Sequence, residues 1–161
     1  MPPRKTKPAP EARPTFLDWL ASDVRWIDGS PIVVEPEDSL MHALEIIRLR
    51  GVRRLPVAVG GMLMGLVTDG DIKRAEPSML TETEADFNRV MEETPLSRIM
   101  IQNPLTTTAD ASLLEAAEVL LNTKYGALPV VTGSRVVGIL TDNDLVRALV
   151  DVLREAKGTQ G

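Results

Sequence analysis

Cysteine is absent from the sequence and histidine appears once, as His42. Structural disulfides, thiolate chemistry and cysteine-ligated metals are thereby excluded, and a histidine-rich metal centre has nothing to be built from. Aromatic residues make up only 3% of the chain, so the core has to be aliphatic. The longest run without a charge, Leu55 to Thr68, contains Pro56, Gly60, Gly61 and Gly65 and is too short to span a bilayer. No apolar signal core follows the basic start, so export is not indicated and a cytoplasmic protein is the expectation. The formal net charge of -5 argues against nucleic acid as the main partner, because phosphate-backbone binding needs a concentrated basic surface.

What is present is an ordinary globular composition, 43% hydrophobic and 25% charged over 161 residues, enough for one compact domain or two closely joined smaller ones. Basic residues concentrate at the start, where Arg4, Lys5, Lys7 and Arg13 stand among five prolines. Such a stretch buries too little apolar surface to fold, and residues 1–14 read as a disordered tail rather than a nucleic-acid arm, since no aromatic is interleaved with the charges.

Sliding the chain against itself reveals its main feature. An offset of 73 aligns residues 25–75 with 98–148 without a gap. Pro31 falls on Pro104, Ser39 on Ser112, Ala43 on Ala116, Leu55-Pro56-Val57 on Leu128-Pro129-Val130, Gly65 on Gly138, and Thr68, Asp69 and Asp71 on Thr141, Asp142 and Asp144. Two units of this kind predict pseudo-two-fold symmetry rather than solenoid growth.

Periodicity gives each unit the same element order. A short β-branched stretch after a proline, Ile32 to Val34 or Leu105 to Thr107, predicts a strand. Ser39 caps a helix with Leu40, Ala43, Leu44 and Ile47 on one face, and Ser112, with Glu115 as its capping-box partner, opens one carrying Leu113, Ala116, Ala117 and Leu120. A hairpin follows, Leu55–Val59 with Met62–Val67 around Gly60-Gly61, and Leu128–Thr132 with Arg135–Leu140 around Gly133-Ser134. A second helix closes each unit, the later one bearing Leu145, Leu149, Val152 and Leu153. Between the units, Thr81 and Glu84 predict the cap of a connecting helix with Phe87, Val90 and Met91 on one face. Thr15 to Trp26 predicts a further short helix packed through Phe16, Leu17, Trp19 and Leu20. Trp19 and Trp26 read as core filler, and His42 as a surface residue.

The division expected is a tail over 1–14, a first repeat with its N-terminal helix over 15–78, a connecting segment over 79–97, a second repeat over 98–154 and a flexible tail over 155–161. A glycine followed by apolar residues and Thr-x-x-Asp, with a Leu-Pro-Val strand some ten residues earlier, and all of it twice, resembles the cystathionine-beta-synthase-type (CBS) domain. The length and the helix between repeats also resemble stand-alone bacterial CBS proteins, including the acetoin-utilisation-like ones; the chain leaves no room for the further C-terminal ligand-binding domain that some of those carry. The resemblance implies a mixed α/β (α+β) fold of two β-α-β-β-α repeats in one Bateman-type module. It also implies two clefts between the repeats, modules that pair into a homodimer, and adenine nucleotides as ligands.

The residues offer a chemistry for such a ligand. At the strand-to-helix corner, free backbone donors and the positive helix end would suit a phosphate, and the Thr68 and Thr141 hydroxyls could donate to it. The Asp71 and Asp144 carboxylates could each accept from both hydroxyls of a ribose, and Gly65 and Gly138 would leave room above the strand. Arg53 and Arg54, in the first repeat, could balance the phosphate charge of a ligand held by either repeat. The second has Gly126 and Ala127 in their place, with only Lys124 nearby, so the two sites are expected to differ. Ile32, Val33 and Val57, with Leu105, Thr106 and Val130, are placed to line an apolar slot for a purine through the segments Ser30–Val33, Asn103–Thr106, Val57–Ala58 and Val130–Val131. A magnesium ion could accompany the phosphates. Against this stands a plainer reading in which Thr-x-x-Asp is a capping box and nothing more, and Arg53 and Arg54 are solvated surface charges.

Three functions follow: a nucleotide-responsive regulatory module, with S-adenosylmethionine or NAD as alternative adenosine ligands; a structural dimerisation or interaction module with no physiological nucleotide; and an enzyme. The last is the least supported, since no nucleophile and base are paired and no catalytic residue is evident.

Overall fold

The computed structural model describes residues 31–158. The helix expected over Thr15–Trp26, both tryptophans and the 1–14 tail lie outside the described residues. The chain forms two compact units, one made of Ile32–Pro104 with Ser134–Val136, the other drawing its described residues from Pro31, Leu105–Gly133 and Val137 onward.

In the first unit, α1 (Leu40–Arg50) begins where the Ser39 hydroxyl accepts the His42 N–H and ends at Gly51. There the chain turns left-handed (φ 64°) and the glycine N–H closes on the Ile47 carbonyl, a conformation that side chains resist. Leu40, Ala43 and Ile47 are buried on one face. The hairpin β1 (Arg54–Val59) and β2 (Met62–Thr68) turns through Gly60 and Gly61 at φ 57° and 83°, the positive values that a tight two-residue turn between right-handedly twisted strands requires. Its antiparallel register sets Arg54 opposite Thr68, with a bulge between Val57 and Ala58. The strand expected over Ile32–Val34 is reduced to one bridge, Val34 to Val57, held by Val34 N–H to Pro56 O and Ala58 N–H to Val34 O.

After α2 (Asp69–Ala75) the chain leaves the helix at Glu76, because Pro77 disfavours a helical residue before it and lacks an N–H of its own. Helix α3 (Glu84–Glu93) is capped by Thr83, which accepts the Asp86 N–H. The cap expected from Thr81 and Glu84 is therefore displaced: the Thr81 N–H is already closed on the Ser78 carbonyl in a turn. This helix is more than a connector, since Met91 is fully buried and Phe87 packs beside it on the core that also holds Val34, Leu40, Leu55, Val57, Val67 and Ile72. A short 3-10 turn, Leu96–Arg98, adds Leu96 to the same core, and β3 (Ile101–Gln102) pairs with β2 at Leu66 and Gly65.

The second unit repeats the scheme. The strand expected over Leu105–Thr107 falls later, as β4 (Thr107–Thr108), parallel to β5 (Ala127–Thr132). Helix α4 (Leu113–Leu121) carries the anticipated capping box between Ser112 and Glu115. Strand β6 (Arg135–Thr141) lies beside β5. Its core of Leu113, Ala116, Leu120, Leu128, Val130, Leu140 and Ala148 occupies the positions that Leu40, Ala43, Ile47, Leu55, Val57, Val67 and Ala75 hold in the first unit. Val150 stands where the first repeat has Pro77, and α5 runs on from Asp142 to Gly158. Residues 155–158, expected to begin a flexible tail, are thus helical, while 159–161 lie outside the described residues. Among the described residues, no helix is long and apolar enough to cross a membrane.

Candidate functional site: two matched strand-to-helix corners

Each corner is set by a strand that ends at a threonine and a helix that starts on the next residue. In the first, the Thr68 hydroxyl accepts the Asp71 N–H at 3.1 Å while Asp71 Oδ2 accepts the Thr68 N–H at 2.9 Å, a complete capping box. The Asp69 N–H goes to the Arg53 carbonyl at 2.8 Å and the Gly70 N–H to Asp69 Oδ1 at 2.9 Å. The second corner has the same set. Thr141 N–H reaches Asp144 Oδ2 at 2.8 Å, Asp144 N–H the Thr141 hydroxyl at 3.3 Å, Asp142 N–H the Gly126 carbonyl at 3.0 Å, and Asn143 N–H Asp142 Oδ1 at 2.8 Å.

These bonds correct one expectation. The four backbone donors from 68 to 71, and those from 141 to 144, are engaged by the protein's own acceptors, so they are not free for a phosphate. The acids at the second and fourth positions of Thr-Asp-x-Asp take two of these donors, the threonine hydroxyl a third and a backbone carbonyl the fourth. Charge for a phosphate then has to come from side chains. Arg53 is exposed and Arg54 half-buried, and the register places Arg54 across the hairpin from Thr68. At the matching places the second corner has Gly126, left-handed at φ 64°, and the fully buried Ala127. Lys124 is exposed two residues ahead of Gly126.

The carboxylates differ in what remains of them. Asp71 is 12% exposed, and its second oxygen, Oδ1, is bonded by Arg74 Nη2. Asp144 is 19% exposed; its Oδ2 takes both the backbone N–H and, at 2.9 Å, the hydroxyl proton of Thr141, and Arg147 Nη1 stands 3.8 Å from Oδ1. The Thr141 proton is thus committed to Asp144 rather than presented to a ligand. Arg74 and Arg147 were not among the expected site residues, although the 73-residue offset that pairs the aspartates pairs them too.

Gly65 also plays a different part from the one expected. A Cβ there would meet the Ile101 carbonyl at 2.7 Å and Met100 Sδ at 2.8 Å, so the close approach it permits is that of the chain's own β3. Of the purine-slot candidates, Val57 and Val130 are buried in the two cores, as are Ala58 and Val131 in the strands beside them, and they offer no side-chain surface. Val33 and Leu105 are exposed, Ile32 and Thr106 partly so, and Ser30 lies outside the described residues. The Leu105 N–H donates to the Tyr125 hydroxyl at 3.0 Å, a partner that the lone tyrosine two residues ahead of Ala127 could have signalled. His42 is exposed on α1, 3.8 Å from Asp38. Among the described residues no group of three or more His, Cys, Asp or Glu could hold a metal ion.

With fold and corners in view, comparison with known proteins fixes the class. The chain belongs to the CBS domain family, with two copies matched at residues 21–78 and 96–151. A CBS domain-containing protein of Dictyostelium discoideum is 33% identical over 77% of this chain and 88% of its own length. Inosine-5'-monophosphate dehydrogenase of Korarchaeum cryptofilum is 32% identical over 71% of this chain, which spans only 21% of that enzyme. Among solved structures, AcuB, an acetoin-utilization-type protein of Vibrio cholerae, superposes with TM-score 0.69 at 26% identity, covering 86% of this chain and 98% of that one. The CBS domain pair of protein MJ0100, in complex with 5-methylthioadenosine and S-adenosyl-L-methionine, gives TM-score 0.67 at 26% identity over 81% and 97%. CBSX2 of Arabidopsis thaliana in complex with AMP gives 0.61 at 31% identity over 76% and 89%. A small tandem CBS pair with a mixed α/β fold is therefore what this chain is, and proteins of this class are typically regulatory.

Proposed function

We propose that the chain is a non-catalytic sensor that binds an adenine nucleotide, each corner gripping the ribose diol through Asp71 or Asp144. The single observation behind this is the duplication of the corner: the same pair of backbone bonds fixes an acidic side chain at one place in both units, with one carboxylate oxygen left over from the cap. A carboxylate held in that way accepts from two vicinal hydroxyls, a charge-assisted contact that a bare phosphate would not use. The AMP of CBSX2 and the adenosine ligands of MJ0100 support the class of ligand. Arg53, Arg54 and Arg74 gather positive charge for phosphates at the first corner, and Lys124 supplies it near the second; any magnesium would come with the phosphates. The exposed apolar side chains of Val33 and Leu105 offer surface to a purine. Pairing of two chains, as the family implies, would carry a ligand-dependent change outward in the cytoplasm.

One observation favours a second reading, a structural or interaction module without nucleotide. Every first-turn donor is satisfied with no ligand at all, so helix capping alone accounts for both threonines and both aspartates. Thermal unfolding with AMP, ADP, ATP, NAD and S-adenosylmethionine separates the two. Ligand at a hundredfold over its dissociation constant adds about 2.7 kcal/mol, or roughly 5–10 °C in Tm for a chain of this size. The expected result is a shift with at least one of them, lost in the double variant Asp71→Asn, Asp144→Asn, which keeps a cap acceptor but no charge. No shift with any compound leaves the structural reading standing; a shift that survives the double change removes the aspartates from the site.

A further inference from the structure

We infer that the outer face of α5 is where a second copy of this chain docks, the two α5 helices running antiparallel about a two-fold axis. The inference rests on the pairing of chains proposed above, not on the ribose assignment, and names the face that does it. Helix α5 has two apolar faces. Ala148 is buried in the second core with Leu145 packed against it, and Val152 is buried one turn on. About 120° further round the helix, Val146, Leu149, Val150 and Leu153 make a second stripe spaced i, i+3, i+4, i+7, and these four are 38% to 58% exposed. A contiguous row of large aliphatic side chains marks an interaction surface, as single scattered ones do not. The first repeat serves as an internal control. At the 73-residue offset the stripe falls on Lys73, Glu76, Pro77 and Leu80, two charged residues and two positions beyond the end of α2. The repeat therefore folds without an apolar stripe there, and its own packing does not account for the one on α5.

The charges at its two ends say what covers it. Four residues before Val146 stands Asp142, four after Leu153 stands Lys157, and both are exposed. Asp142 keeps its charge while its Oδ1 accepts the Asn143 N–H. Turned end for end, this row is its own complement: Val146 faces Leu153, Leu149 faces Val150, and Asp142 of each copy meets Lys157 of the other. A two-fold interface requires such self-complementarity, and an unrelated partner would not. Parallel pairing would set acid on acid and base on base, so the charges fix the orientation while the aliphatic row supplies the burial. Four side chains per copy make a small patch for a permanent interface, and the pairing is expected to depend on concentration.

Sedimentation of the full chain over a concentration series is the first measurement, with dimer expected at the upper end. Leu149→Glu together with Leu153→Glu should raise the dimer dissociation constant by about tenfold or more, since pairing would then bury four unpartnered charges. Both positions are exposed, so the urea midpoint at low concentration should match that of the unchanged chain. Orientation is read by disulfide trapping, which a cysteine-free sequence makes unambiguous. Under mild oxidation, Val146→Cys mixed with Leu153→Cys should cross-link and neither should do so alone, because like positions stand about 10 Å apart along antiparallel helices, beyond a disulfide's reach. A dimer that the double glutamate variant leaves as tight as before overturns this docking face and leaves pairing standing. A mixture that fails to cross-link, or trapping between like positions, overturns the antiparallel arrangement. A chain that stays monomeric throughout removes the pairing, and this inference with it.

Discussion

The two repeats agree inside and part company at their edges. Seven core positions coincide at the 73-residue offset, from Leu40 and Leu113 to Ala75 and Ala148, and so do the four backbone bonds of each corner. The differences lie where α2 stops ahead of Pro77 and hands its core to Met91 and Leu96, where α5 continues instead, and where Arg53, Arg54 and Gly70 have Gly126, Ala127 and Asn143 as their counterparts in sequence. Packing tolerates little change because each methylene in a dense interior is felt, whereas a corner whose donors are already satisfied tolerates a change of neighbours. That is how one duplicated unit keeps its fold while its two corners diverge in charge.

The most forceful way to break this symmetry is in the core. Leu55→Ala and Leu128→Ala, both at fully buried positions, should each cost about 2–5 kcal/mol in urea unfolding. Met91→Ala, fully buried as well, should cost as much. A loss under 1 kcal/mol for Met91→Ala would reduce α3 to the plain connector it was expected to be.

Gly65→Ala comes next, at about 1–3 kcal/mol, the cost of overpacking against a backbone carbonyl that can yield only by moving β3. A fully stable Gly65→Ala protein would show that β3 is not held there. The smallest effect concerns α3, which among the described residues lies in the first unit. The Thr83 hydroxyl, and after it Arg89, hold the Asp86 carboxyl below its usual range. Since the folded value is lowered, this contribution is present above the ordinary carboxylate pKa and fades as pH falls through the lowered one. Asp86→Asn should flatten that acid limb slightly, and an NMR titration of Asp86 with its midpoint at the ordinary carboxylate value would refute it.

Much of this was readable from the sequence because repetition filters noise. Ser39 with Ser112, Leu55-Pro56-Val57 with its copy, and the glycine turn at 60–61 each signal an element through a local requirement that recurs. The corner was legible in position but not in state. Hydrogen bonds three residues apart look identical in sequence whether a helix or a ligand uses them, and only geometry reveals that the donors at 68–71 are taken and that Arg74 closes on Asp71. The strand after Pro31 shrank to one bridge because only Val34 finds partners on β1. The α3 cap moved because Thr81-x-x-Glu84 and Thr83-x-x-Asp86 are equivalent patterns, and the Ser78 turn, invisible in either, decided between them. Strand β3 is two residues long, too short for any periodicity.

The burial of Met91 and Leu96 has a practical bearing on anyone who would transplant these modules. The family signature of the first copy closes at residue 78, but its hydrophobic interior is not complete until some twenty residues further on. A chimera spliced at the signature's edge would inherit an open wound in its centre, while one joined after Pro104 would carry Met91 and Leu96 across with the rest of that core.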